Sequence, residues 1–210
     1  IVIGLAGQAG SGKNEVASYL ASRYGFVQFA FSDALYHEVQ QAFGLENQDL
    51  LRDRAGKELP SDLLTLARCK DEQFMRLMAS EKDMPELGAT GRHATLTLLS
   101  PRQILQWWGT EYRRAQDPNY LVNQATKFVH DMHNMPPYPE LRPQLFVETG
   151  TRFENERTWI KESDDWLYAN WSGNIWHIHR DATDQMTDTH ASAQPLPTLR
   201  GERALCNNST

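Results

Sequence analysis

A glycine-rich loop between an apolar run and a helical pattern constrains the fold of this chain more than any other feature. Residues 1–6 form a short apolar run that ends in a glycine turn, which is typical of a buried parallel strand. Residues 7–12 form the turn, and apolar residues then recur at helical spacing over 13–24, up to the terminating Gly25. This order of strand, loop and helix predicts an α/β fold with a parallel sheet flanked by helices.

The loop itself fits the phosphate-binding motif G-x-x-x-x-G-K in its required position between a strand and a helix. Glycines let backbone N–H groups converge on a phosphate, the helix start adds positive charge, and Lys13 reaches the β- and γ-phosphates of ATP. The alternative is a glycine turn with a chance lysine. Asn14 stands where Ser or Thr usually ligates Mg²⁺, and its amide oxygen makes it a candidate ligand. The predicted ATP-binding residues are Gly7, Gln8, Ala9, Gly10, Ser11, Gly12, Lys13, Asn14 and Arg180.

Composition narrows the function classes. The 210 residues carry a formal charge of −6, which argues against a protein that coats long nucleic acid by charge alone. Cys69 and Cys206 lack the spacing of a zinc site, and a reduced cytoplasmic protein is favoured over a disulfide-bonded one. No signal peptide or membrane span is expected at the start of the chain. We therefore expect one domain, 1–210, that is soluble and cytoplasmic.

A second strand, turn and helix unit follows the first. Residues 26–31 read as a strand, Ser32 and Asp33 as a helix cap, and 34–43 as a helix. The segment 45–99 is predicted to be mostly helical, as an insertion that binds substrate. Its candidate core residues are Leu63, Leu66, Ala67, Phe74 and Leu77.

Apolar patterns and turn residues predict further helices and strands in the second half of the chain. Ser100 and Pro101 are a strong helix start, and an apolar stripe then runs through Ile104, Leu105, Trp108 and Tyr112. Further helices are predicted over 118–132 and 154–162, strands over 145–147, 175–178 and 204–206, a loop at the prolines of 136–143, and a candidate lid over 183–199.

Asp33 and several arginines are candidates for the chemistry. Asp33 follows the second predicted strand, where open α/β sheets place their sites, although it also suits a simple helix cap. A carboxylate there could position the acceptor or help to hold Mg²⁺. Guanidinium groups suit the charge of a phosphoryl group in transfer, and surface arginine is the alternative for each. The candidate arginines are Arg102, Arg113, Arg114, Arg152 and Arg180.

Four ordered motifs resemble those of the bacteriophage-type deoxynucleoside monophosphate kinases, a P-loop nucleotide kinase family. They are the loop through Asn14, Phe31-Ser-Asp-Ala-Leu, the segment from Ser100 to Glu111, and Thr151-Arg-Phe-Glu-Asn-Glu. The resemblance implies ATP- and Mg²⁺-dependent conversion of a dNMP to a dNDP in the cytoplasm, in the host cell if a phage encodes the chain. It also implies that Lys13, Asp33 and Arg152 are catalytic and that Arg102 with Gly109, Thr110 and Glu111 contributes to the nucleotide pocket. Arg113 and Arg114 complete the predicted substrate-binding set.

The chain departs from the family near the expected magnesium site. Thr149 and Gly150 stand where acidic residues usually precede the Arg-Phe pair, so Glu148 is the nearest upstream carboxylate, and Glu15 replaces a small hydroxyl residue. Either the metal is held differently or the acceptor has changed. Two alternatives therefore stay open: a kinase acting on a hydroxymethylated pyrimidine in DNA, and a nucleotide-binding protein without catalysis.

The histidines and tryptophans favour packing roles. His130 and His133 on a helix and His177 and His179 on a strand lack a third ligand at recognisable spacing, so packing is favoured over zinc. The tryptophans favour core packing, with one of Trp107 and Trp108 as a candidate for base stacking. No membrane partner is expected, and homodimer formation is left open.

Overall fold

The computed structural model describes residues 1–53, 55–81, 96–134, 145–162, 172–181 and 196–208. The loop at 136–143 and most of the candidate lid, 183–195, lie outside the described residues. The chain divides into two compact units, Ile1–Phe31 with Leu121–Thr210, and Ser32–Tyr120. Within the described parts, no helix is both long enough and apolar enough to span a membrane.

The first unit is built on a five-stranded parallel sheet in the order β2-β3-β1-β4-β5. The strands are β1 Val2–Ala6, β2 Val27–Phe29, β3 Phe146–Thr151, β4 Gly173–His179 and β5 Arg203–Cys206. The helices are α1 Lys13–Tyr24, α6 Tyr120–Asn134 and α7 Glu154–Glu162. Helix α6 begins at Tyr120, the last residue of the second unit. Each strand predicted from the sequence is present with shifted ends, and α1 and α7 have the predicted bounds. The predicted α/β sheet flanked by helices is therefore confirmed.

Side-chain alternation along β1 decides which helix covers which face of the sheet. Ile3 and Leu5 are buried in one cluster with Ala17 and Leu20 of α1. Gly4, between them, faces the other way, where an added Cβ would overlap Ile160 of α7. The central strand is therefore buried on both faces, as its continuous apolar sequence predicts.

The second unit is helical and irregular. Its elements are α2 Asp33–Phe43, α3 Asp49–Arg52, a 3₁₀ turn Leu66–Arg68, α4 Glu72–Glu81, α5 Pro101–Gln106 and a π-helical stretch Trp107–Arg114 that continues α5. Ser100 caps α5 in a capping box with Gln103, as its sequence predicts. The predicted apolar stripe is confirmed, since Ile104, Leu105, Trp108 and Tyr112 are all buried.

Two local predictions in this unit are wrong. Ser32 precedes α2, but its backbone is in the helical region and its side chain makes no capping hydrogen bond. The described part of 45–99 is not mostly helical, since its helices cover only Asp49–Arg52, the 3₁₀ turn Leu66–Arg68 and Glu72–Glu81. After α3, Asp53 forms a tight turn by accepting from the N–H groups of Ala55 and Gly56. Of the candidate core residues, Leu66 and Phe74 are buried as predicted and Leu77 is partly buried, but Leu63 and Ala67 are exposed.

Candidate functional site

The glycine-rich loop leaves β1 at the carboxyl end of the central strand and leads into α1. Gly7, Gly10 and Gly12 have φ of 141°, 85° and 99°, values that side chains rarely adopt. A Cβ on Gly7 would also overlap the carbonyl oxygen of Ile178 in β4. The backbone of the loop therefore favours glycine at these positions.

Lys13 folds back over the loop from the first position of α1. Its ammonium donates to the carbonyl oxygens of Gly7 and Gln8, both at 2.7 Å. Ser11 lies inside the same loop with 1% of its surface exposed, and no hydrogen-bond partner for its hydroxyl lies among the described residues. A loop that precedes a helix and holds an ammonium group and a buried hydroxyl can accept an anion such as a phosphate chain.

Asn207, which follows β5, holds the loop from outside. Its backbone N–H donates to His179 O at 2.7 Å, and its side-chain amide donates to Ser11 O at 3.0 Å. A Cβ on Gly12 would overlap that amide, so the contact itself requires glycine at this position. Asn207 is not among the residues predicted from the sequence, because nothing local links it to a loop almost two hundred residues away.

The strand register brings Arg152 to the edge of the sheet where the loop lies. Thr151 of β3 is paired with Ala6 of β1, so Arg152 and Gly7 are the next residues of two neighbouring parallel strands. Arg180 follows β4 on the other side of β1, two residues beyond Ile178, which contacts Gly7. Asn14 is exposed in the first turn of α1. These predicted residues all belong to the first unit.

Glu148, the nearest carboxylate upstream of Arg152 in the sequence, is fully buried in β3. Its Oε1 accepts from the N–H groups of Gly150 at 2.8 Å and Phe31 at 3.3 Å, and its Oε2 accepts from the Thr151 hydroxyl at 2.5 Å. Burial, followed by the charge of Glu156, raises the pKa of Glu148 to about 8. Glu148 therefore holds the last two residues of β3, Gly150 and Thr151, which lead directly to Arg152.

The other predicted residues belong to the second unit. Asp33 begins α2, where its carboxylate accepts from Arg52 at 3.0 Å, and Arg102 in α5 is paired with Glu58. The π-helical stretch contains Gly109, Thr110 and Glu111, and Arg113 and Arg114 end it. Gly109 is buried, and a Cβ on it would press on Leu35 of α2.

Glu38 of α2 organises the π-helical stretch, although no local sequence pattern marks it. Its Oε2 accepts from Trp108 Nε1 at 2.8 Å and from Arg113 Nε at 2.7 Å, and its Oε1 accepts from the Tyr120 hydroxyl at 2.5 Å. The Arg113 guanidinium also lies 4.6 Å from the ring centre of Tyr112. Trp108 is 1% exposed and belongs to the aromatic core, so the stacking candidate of the tryptophan pair is Trp107.

Comparison with known proteins finds a relative whose name is that of a nucleotide kinase. No model of a known protein family matches it. A protein of Acanthamoeba polyphaga mimivirus, named "Putative deoxynucleotide monophosphate kinase", is 27% identical over 215 aligned residues, which cover 100% of this chain and 90% of the relative. The chain is therefore similar along its whole length to a protein named as a kinase, which supports the predicted dNMP kinase-like family.

Proposed function

We propose that this chain transfers the γ-phosphoryl group of ATP to a deoxynucleoside monophosphate. An oxygen of the acceptor phosphate forms a bond to the γ-phosphorus, the bond from that phosphorus to the β–γ bridging oxygen breaks, and dNDP and ADP leave. The observation that carries the proposal is the glycine-rich loop after the carboxyl end of β1, in which the Lys13 ammonium donates to the carbonyl oxygens of Gly7 and Gln8. The mimivirus relative supports the choice of acceptor through its name.

Each unit then has its own task. In the first unit, the P-loop residues Gly7, Ser11 and Lys13 hold the triphosphate, and Arg152 and Arg180 at the same edge of the sheet face its charge. Asn14 offers an amide oxygen to Mg²⁺, which neutralises charge on the phosphate oxygens when it is bound. In the second unit, Asp33, Arg102 and the π-helical stretch with Gly109, Thr110, Glu111, Arg113 and Arg114 serve the acceptor.

The test is ADP release from ATP and Mg²⁺ with each dNMP, hydroxymethylated dNMPs and hydroxymethyluracil-containing DNA offered separately. We expect turnover on at least one free dNMP. Lys13→Ala removes the charge that faces the β- and γ-phosphates, so it should lower the rate by about two orders of magnitude or more. Lys127→Ala, at an exposed position of α6 in the same unit, is the matched control and should keep the parent rate.

The outcomes separate the three functions. Transfer to DNA alone would replace the proposed acceptor with a hydroxymethylated base in the polymer. Tight ATP binding without turnover on any acceptor would identify a nucleotide-binding protein without catalysis. A Lys13→Ala protein with the parent rate would overturn the assignment of the loop.

A further inference from the structure

Two cations meet at the side chain of Tyr36 in α2. The Arg52 guanidinium, from the end of α3, lies 4.2 Å from the ring centre of Tyr36. The Lys57 ammonium lies 5.5 Å from the same ring centre but only 3.1 Å from the Tyr36 hydroxyl, so it sits at the hydroxyl end of the ring. Tyr36 of α2 therefore contacts two positive charges, one at the end of α3 and the other five residues further along the chain.

Two hydrogen bonds orient the Arg52 guanidinium and leave one of its nitrogens able to donate. Its Nε donates to Gln48 at 2.9 Å, and its Nη2 donates to Asp33 at 3.0 Å. Across the part of the chain that the structure describes, Nη1 has no hydrogen-bond acceptor, and the side chain is 49% exposed. The guanidinium is thus fixed by two neighbours while one of its edges can still bind an oxyanion.

Lys57 is a half-buried cation whose polar contact is to a neutral group. Its ammonium donates to the Tyr36 hydroxyl, and no carboxylate within the described ranges lies at ion-pair distance from it. By contrast, Arg76 of α4 is a highly exposed cation with its own partner, Glu72, at 2.8 Å. A half-buried ammonium without a counter-charge is stabilised by an anion from solution.

The carboxylates beside this ring have other partners among the described residues. Asp33 accepts from Arg52, and Glu58 is paired with Arg102, whose backbone N–H donates to Lys57 O at 2.9 Å. Asp53 accepts from the N–H groups of Ala55 and Gly56. None of these three carboxylates is paired with Lys57.

We propose that Arg52 and Lys57, arranged around Tyr36, bind the phosphate group of the nucleoside monophosphate acceptor. The identity of that acceptor rests on the proposed function. The guanidinium donates from its open edge and the ammonium from the hydroxyl end of the ring, while Asp33 and Gln48 hold the guanidinium in place. In this arrangement Asp33 acts on the acceptor through Arg52, as a positioning residue.

The experiment compares charge-removing variants in calorimetric titrations with the four dNMPs, the matching deoxynucleosides and ATP. Lys57→Met and Arg52→Gln should each weaken dNMP binding by about 10- to 100-fold, because each loses a charge-assisted hydrogen bond to phosphate. Affinity for the deoxynucleosides and for ATP should stay at the parent value, and Lys57→Arg should restore most of the dNMP affinity. Arg76→Gln removes the same charge from the same unit and should bind like the parent.

The outcomes distinguish this inference from the proposed function. Parent-like dNMP affinity in both Lys57→Met and Arg52→Gln overturns the inference, even if the parent protein transfers phosphate to dNMPs. So does an equal loss of affinity for dNMP and deoxynucleoside, which would point to a general structural defect. A parent protein that binds dNMPs through these two residues without turning them over overturns the proposed kinase activity and leaves the phosphate site standing.

Discussion

At the scale of single residues, Glu148 shows how burial in a sheet sets the charge state of a carboxylate. It lies in β3 between β1 and β2, paired in register with Gly4 on one side and Phe29 on the other. Three donors hold the carboxylate, yet the cost of burying its charge outweighs them, so its pKa rises to about 8. The charge state of this side chain is therefore set by the core of the sheet.

The pH dependence of stability should report this burial. Because the pKa of Glu148 is raised from 4.5 to about 8, the native state holds the proton more tightly, and its contribution to stability is present below pH 4.5 and lost as pH rises through 8. We expect Glu148→Gln, which imitates the protonated acid, to remove this loss and to match or exceed the parent's stability at pH 8. Urea unfolding at pH 5, 6.5 and 8 measures it.

Glu72→Gln provides the control for that series, because Glu72 is 74% exposed and its removal should leave the pH profile unchanged. Identical profiles for the parent and Glu148→Gln would show that Glu148 is charged in the native state across the whole range.

At the scale of elements, the π-helical stretch Trp107–Arg114 determines which side chains meet. Trp108 and Arg113 are five residues apart, and in an α-helix they would point about 140° away from each other at roughly 100° per residue. The i→i+5 hydrogen bonding of a π-helix brings residues with this spacing onto one face. Both side chains can therefore donate to Glu38.

Removing Glu38 should destabilise the second unit. Glu38→Ala leaves Trp108 Nε1, the Arg113 guanidinium and the Tyr120 hydroxyl without their shared acceptor, in a place where the carboxylate is only 17% exposed. We expect a loss of about 2–4 kcal/mol in the free energy of unfolding. Urea unfolding followed by tryptophan fluorescence measures this loss, and Glu72→Ala, from an exposed ion pair, should cost less than about 1 kcal/mol.

A spectroscopic readout ties that loss to the contact itself. Burial and the carboxylate of Glu38 raise the pKa of Tyr120 to about 12. In Glu38→Ala this pKa should fall, which ultraviolet titration of the tyrosines detects. A variant with the parent's stability and tyrosine titration would contradict the role of Glu38.

At the scale of the whole molecule, a buried ion cluster joins distant parts of the first unit. Glu202, just before β5, is 1% exposed and contacts Arg157 of α7 at 3.1 Å and His177 of β4 at 2.7 Å. Burial opposes its charge, but the Leu199 N–H, His177 and Arg157 outweigh burial and hold the pKa of Glu202 below its ordinary value. The cluster thus fastens the chain before β5 to α7 and β4.

Acid should weaken this cluster. Because the folded pKa of Glu202 is lowered, its contribution to stability is present above pH 4.5 and is lost as pH falls through the folded value. Glu202→Gln leaves the buried Arg157 without its buried counter-charge, so we expect a loss of about 3–5 kcal/mol at pH 7 that shrinks toward pH 3. Urea unfolding at both pH values measures the difference.

Glu154→Gln is the matched control, because Glu154 pairs with the same guanidinium at 2.8 Å but is 65% exposed. It should cost less than about 1 kcal/mol at either pH. Equal effects of the two substitutions would show that burial of Glu202 does not matter.

The sequence by itself determined the features that depend on neighbours in the chain. Glycine's steric freedom accounts for the loop of residues 7–13, helical periodicity for the bounds of α1, and side-chain capping for the capping box at Ser100. Each of these effects acts over a few residues. The same short-range patterns wrongly predicted a side-chain cap at Ser32 and the burial of Leu63 and Ala67, although they placed Leu66 and Phe74 in the core correctly.

Only the tertiary structure decided the strand order and the partners of the charged side chains. Contacts between separate elements bury Glu148 and bind Asn207 to Ser11. They also bring three donors to Glu38 and place Arg52 and Lys57 against Tyr36. Such contacts form only when the chain returns on itself. Their energies depend on desolvation in the folded protein, which no local pattern encodes.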